Sequence, residues 1–197
     1  MKKAVYILLV GFSIIACKGK LSPKEYVKTI RSEEMGLVQT SGNENFNFSI
    51  QYKPLEYIAI MEQRKNASKE TVTSRTKELR GLQYYNIKIQ SLKGEDVLKS
   101  GIQEEKEYYN RLNYLSTFLK QDLYIIQGKD TLSPALYQFE RNYGLAPYAT
   151  AVVAFEEPDS IHKYNKEFII QDKVFTQQEF RLKFNQEQIK KIPTLKF

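Results

Sequence analysis

The chain of 197 residues carries one cysteine, Cys17, and one histidine, His162. That scarcity decides most of the chemistry open to it. A Ser–His–acid hydrolase uses an imidazole as its neutral-pH base, and His162 is the only candidate. It follows Asp159-Ser160-Ile161 in a stretch read as a turn, and no G-x-S-x-G elbow accompanies it. A surface loop histidine is the plainer reading. Zinc sites need clustered His, Cys and carboxylate, calcium loops a D-x-D-x-D-G pattern, and phosphate cradles a glycine-rich turn. None of these patterns occurs, so no catalytic residue, metal ligand or cofactor is assigned. Carboxylate chemistry stays open, because a glycosidase needs only two carboxyl groups that the fold brings together. Glu44, Glu140, Glu156 and Glu157 lie near strands or loops and are the candidates for it.

Cys17 has a more specific setting. Met1-Lys2-Lys3 precedes an apolar tract over 4–16, the basic and apolar regions of a secretory signal. The tract falls short of the roughly 20 apolar residues that span a bilayer. Ile14-Ile15-Ala16-Cys17 resembles a bacterial lipobox: aliphatic, tolerated, small, cysteine. The resemblance implies a diacylglycerol thioether on Cys17, cleavage before it, and acylation of the new amino group. The single cysteine stands where that motif requires it. Residues 1–16 are then a lipoprotein signal peptide, 17–21 a lipidated tether, and 22–197 a globular domain held at a bilayer by acylated Cys17. Acyl chains contribute about 0.8 kcal/mol per buried CH₂, and more than one chain gives stable attachment.

Two triplets, Asp130-Thr131-Leu132 and Asp159-Ser160-Ile161, head two of only five aspartates. They resemble the D-(S/T)-aliphatic acceptor for periplasmic O-glycosylation in Bacteroidetes-type bacteria, which would place glycans on Thr131 and Ser160. Both also read as plain turns, where Asp bonds its own backbone. Lipobox and triplets together resemble a small cell-envelope lipoprotein of such bacteria. Surface-exported members often carry acidic residues after the cysteine, whereas Lys18-Gly19-Lys20-Leu21 is basic, and Lys18 is not the retaining Asp. The resemblance therefore implies an outer-membrane lipoprotein facing the periplasm.

Charge and aromatic content bear on partners. The formal net charge is +7, and loss of Lys2 and Lys3 lowers it to about +5, dispersed among acidic residues rather than in the basic stripe of a nucleic-acid binder. Fourteen Tyr and eleven Phe with no Trp suit recognition surfaces, since a tyrosine presents a flat apolar face and a polar tip. The pairs Tyr84/Tyr85 and Tyr108/Tyr109 also fit ordinary packing, one ring in and one out. The best candidate patch is the segment 142–148, where Gly144 and Pro147 hold Tyr143 and Tyr148 in a turn-rich loop.

Positioning these residues requires a domain. Apolar residues at 42% and charged residues at 27% are globular values, and exclude a disordered, collagen-like or polytopic membrane chain. Ser22-Pro23-Lys24-Glu25 predicts a helix start, with Tyr26, Val27 and Ile30 at helical spacing and Gly36 as its stop. Phe46, Phe48, Ile50 and Tyr52 alternate as a strand that Pro54 breaks. Residues 55–64 fit helix and strand templates, helix preferred. Ser68 opens a second helix that Gly81 ends. Residues 82–92 read as a strand with Tyr85, Ile87 and Ile89 on one face, and 93–101 as a polar loop. The longest helix is expected over 102–120, its stripe being Ile102, Glu105, Tyr109, Leu112, Leu115 and Leu119. Strands follow at 123–127, 136–141, 149–155, 168–171, 174–175 and 180–184, with a turn at Gly128-Lys129-Asp130 and an apolar tail over 189–197 that docks. The expectation is one α+β domain with a largely antiparallel sheet and a few helices. Its expected role is that of a non-catalytic envelope lipoprotein binding or scaffolding an envelope protein or glycan. The alternative is a small hydrolase acting on envelope glycan or peptide through carboxylates.

Overall fold

The computed structural model describes residues 19–157 and 164–197. Its first half contains β1 (Lys20–Leu21), α1 (Pro23–Ile30), β2 (Val38–Gly42), β3 (Phe46–Lys53), α2 (Leu55–Gln63), α3 (Lys69–Glu78) and β4 (Leu82–Ser91). Its second half contains α4 (Glu105–Asn113), β5 (Leu123–Gln127), β6 (Asp130–Leu132), β7 (Pro134–Glu140), β8 (Tyr148–Glu156), β9 (Lys166–Gln171), β10 (Glu179–Phe184), α5 (Gln186–Lys190) and β11 (Thr194–Leu195). The α+β class and the antiparallel sheets are as the sequence leads one to expect.

Nine strands make two sheets, in the orders β2-β3-β4-β8-β7 and β10-β9-β5-β6, with every neighbouring pair antiparallel. Period-2 alternation sends one side of each strand inward. Phe48 and Ile50 of β3, Tyr85, Ile87 and Ile89 of β4, and Val153 and Phe155 of β8 meet Ile125, Phe168, Ile170, Leu182 and Phe184 of the smaller sheet in one core. Tyr85 sits at its centre, fully buried, with ring centroids of Tyr52, Phe155, Phe168 and Phe184 at 5.4, 5.9, 5.2 and 5.5 Å in edge-to-face arrangement. Each such pair adds about 0.5–1.5 kcal/mol to the burial itself.

At the Leu82 end the larger sheet is covered on its outer side too. Tyr84 and Ala154 project there, against Leu79 and against Leu55 and Ile58 of α2. Tyr84 and Tyr85 are therefore both buried, on opposite faces, and the expectation of one ring in and one out fails because helices roof the second face. Beyond them, Tyr26 and Ile30 of α1 pack with Tyr57, Ile60, Val72 and Leu37. The α1 start is a closed capping box between Ser22 and Glu25.

The long axis of β4 separates two ends. At one end lie Leu82, Lys53 and Glu156, joined through Tyr52 and Leu37 to α1. Here β1 and β11 form a parallel pair, Lys20 beside Thr194 and Leu21 beside Leu195, so the tail docks and residues 20 and 21, read from the sequence as tether, belong to the fold. At the other end, Gln90 faces Tyr148 and Leu92 bonds Asn45. The eight steps from Leu82 to Gln90 span about 26 Å at roughly 3.3 Å per residue.

Three further expectations are corrected. The helix over 102–120 is not continuous: α4 ends at Asn113, a π-turn follows over Tyr114–Phe118, and a 3-10 turn over Leu119–Asp122. The wider π-turn rotates the later residues relative to the earlier ones. Leu115 and Leu119 of the expected stripe are buried, joined by Tyr114, while Tyr109 of the same stripe is 56% exposed. Residues 174–175 are not a strand but part of the β9–β10 turn, closed by the Asp172 carboxylate, which accepts from the amides of Val174 and Phe175 at 3.2 Å. The loop 93–101 is polar in composition, yet it buries Val97 and Leu98 and ties Ser100 to Ser91 at 2.7 Å.

Candidate functional site

Loop 142–148 is a built structure rather than a slack connection. The Asn142 side chain accepts from the Gly144 amide at 3.1 Å and donates to the carbonyls of Ala146, at 3.1 Å, and Tyr148. The Leu145 amide donates to Asn142 O at 3.1 Å, and Ser91 N to Pro147 O at 3.1 Å. Tyr143 has φ 53° and Gly144 φ 80°, so two successive residues stand in the left-handed region. Glycine tolerates this freely and tyrosine does not. The turn holds Tyr143 77% and Leu145 90% exposed.

Cations accompany the aromatics. The Arg141 guanidinium lies 4.8 Å from the Tyr143 ring centroid and donates to Tyr108 Oη at 2.7 Å. Tyr108 meets Tyr109 edge-to-face at 5.3 Å. On the outer face of the larger sheet, Lys88 Nζ is 5.2 Å from the Tyr148 ring, and Thr150 Oγ1 donates to Glu140 at 2.8 Å. The result is an exposed aromatic and cationic tip: Tyr109, Arg141, Tyr143, Leu145 and Tyr148. Sequence reading found Tyr143 and Tyr148. It missed Tyr109, assigned to the core, and Arg141, whose signal was its position two residues before Tyr143.

A second polar constellation lies inside the core. Lys166 is 1% exposed. Its Nζ has no hydrogen-bond partner among the described residues and stands 4.8 Å from the Tyr52 ring centroid. Burial drives its pKa down to about 7, against an opposing pull from Glu157. Burial likewise pushes the Tyr52 and Tyr85 phenols up, with the Glu157 charge adding to it. Gln127 faces Lys166 across β5 and β9. Gln83 donates to Gln127 at 3.4 Å and to Glu156 O at 2.9 Å, and accepts from Tyr85 Oη at 3.0 Å. No signal for this cluster existed in the sequence, since Lys166 follows a polar stretch and reads as solvated.

The four sequence-nominated carboxylates do not gather into one site. Glu140 faces Thr150 and Glu156 faces Leu82, six residues apart along β8, or about 20 Å. Glu44 lies in the β2–β3 turn at the Tyr148 end. Glu157 adds its charge to the constellation around Lys166, and Glu140 accepts from Thr150 beside the tip. Thr131 is exposed on β6, at the edge of the smaller sheet, where a bulky modification meets no core. Cys17, Ser160 and His162 lie outside the described residues. Among the described residues, no three of His, Cys, Asp and Glu converge as a metal site, and no helix is long and apolar enough to cross a membrane.

Comparison with protein-family models, with characterised proteins and with solved structures finds no match to this chain.

Proposed function

We propose that this chain is a lipid-anchored, non-catalytic envelope protein that binds another envelope component, protein or glycan, through the tip around loop 142–148. One observation carries the reading: Tyr143 and Leu145 are held 77% and 90% exposed by a loop whose backbone is fixed through Asn142. Ordering an exposed aromatic beforehand reduces the entropy lost on binding, and tyrosine beside arginine is the pairing enriched where binding energy concentrates. The Lys20–Thr194 pairing lies at the opposite end of the larger sheet. An anchor on Cys17 therefore attaches near one end and leaves the tip at the other.

The test is capture of envelope components by the full chain compared with the Tyr143→Ala/Tyr148→Ala variant. The reading expects a component enriched by the wild type and lost with the variant at unchanged melting temperature. Equal recovery by both proteins contradicts it.

A further inference from the structure

A cleft of about 780 Å³ opens between α3 and the docked tail, next to the β1–β11 pair. Lys20, Lys69, Arg80 and Lys196 line it, with Glu56 as the single acidic side chain. All four cations are exposed. None of them makes an ion pair or side-chain hydrogen bond among the described residues. Arg75 pairs with Glu62 and Glu78, Arg181 with Glu167 and Glu179, and Lys190 with Glu187, so what marks the cleft is that four free cations share one concavity. Phe197 lines the same cleft and is 47% exposed. Lys20 is three residues from Cys17, and three residues reach at most about 11 Å.

We propose that this cleft docks on anionic lipid headgroups, so that the domain is seated on the bilayer rather than swinging from its anchor. The proposal rests on the anchoring reading above. Four exposed cations line a cleft whose rim residue Lys20 is three residues from the acylated cysteine, and they face the surface that the anchor brings to them. Phosphates of anionic lipids satisfy them, and the apolar Phe197 ring is buried at the boundary of headgroups and acyl chains. A lipid chain combined with a basic patch is a two-signal attachment, each charge near an anionic surface adding about a factor of five. Seating this pole turns the tip around Tyr143 away from the membrane.

The mature acylated protein carries no free cysteine, so Phe197→Cys introduces a unique labelling site. The labelled full-length lipoprotein is reconstituted into phosphatidylcholine vesicles and into vesicles of equal parts phosphatidylcholine and phosphatidylglycerol. A Tyr143→Cys label serves as the distal reference. The label at position 197 is expected to be quenched by lipid-phase quenchers only in the anionic vesicles, and to be released by high salt. Adding Lys20→Glu and Lys196→Glu removes two cations, about thirtyfold in the seated-to-free ratio, and adds two repelling carboxylates that lower it further, with the melting temperature checked for each variant. Equal quenching in both vesicle types, or quenching that survives charge reversal in a folded variant, overturns the docking proposal. Protein that lacks acyl mass and does not float with vesicles overturns the anchoring reading instead.

Discussion

Lys166 Nζ lies 4.8 Å from the centroid of the Tyr52 ring, inside a core where its ammonium finds no hydrogen-bond acceptor among the described residues. Desolvation favours the neutral form of a buried ammonium, here against an opposing pull from Glu157. The folded pKa is about 7 against an ordinary 10.5, so between those values the unfolded chain binds a proton that the folded chain does not. Stability therefore rises with pH from about 7 to about 10. Above that window the opposite sign takes over, because Tyr52 and Tyr85 ionise more readily unfolded than folded. Chemical denaturation at pH 7 and pH 9 is expected to show the higher stability at pH 9, and Lys166→Met to be more stable at pH 7 with a flatter profile. A wild-type profile that falls over this window contradicts the assignment.

Tyr85 tests the same core from its hydrogen bond. Its hydroxyl donates to Gln83 Oε1 at 3.0 Å in a fully buried setting. Tyr85→Phe keeps the ring contacts and orphans that oxygen, at an expected loss of about 1–3 kcal/mol in urea unfolding. A loss near zero would mean that water reaches Gln83.

The π-turn after α4 gives a paired prediction. Leu115→Ala empties a buried position and is expected to cost about 2–5 kcal/mol. Tyr109→Ala, on the expected stripe but outside the observed core, is expected to change stability by less than about 0.5 kcal/mol. Thermal melts of the two variants check the rotated face directly, and comparable losses contradict it.

These cases show how far sequence patterns reach. Period-2 alternation in 46–52 and 82–92 located β3 and β4, and the Ser22–Glu25 box located α1, because each pattern reports local geometry. The break at Asn113 was invisible: a π-turn is selected by what Tyr114 must reach, namely Gln171 O and Lys173 N on the β9–β10 side. The edge strand Val38–Gly42 is too polar to show alternation. In the candidate site, Tyr143 and Tyr148 were legible from Gly144 and Pro147 around them. Arg141 stacking on Tyr143, and Lys166 turned inward, depend on strand register, which one sequence does not display.

The loop lock supplies a further prediction. Asn142→Ala removes the side chain that joins both ends of loop 142–148 while leaving every aromatic in place. Partner affinity is expected to fall, because the loop must then be ordered on binding, with amide hydrogen exchange rising in 143–147 only. Unchanged affinity alongside faster exchange would show that preorganisation does not matter at this tip.

The central claim is that the tip meets an envelope partner while Cys17 holds the chain to the bilayer. A photo-crosslinking side chain placed at Tyr143 in living cells tests it most directly, with Thr131 on the edge of the other sheet as the comparison position. A discrete crosslinked species is expected from position 143, none of that size from position 131, and its loss when Cys17→Ser abolishes acyl labelling and membrane retention. The same crosslinks from both positions, or a position-143 crosslink that persists in a Cys17→Ser protein released from membranes, would contradict it.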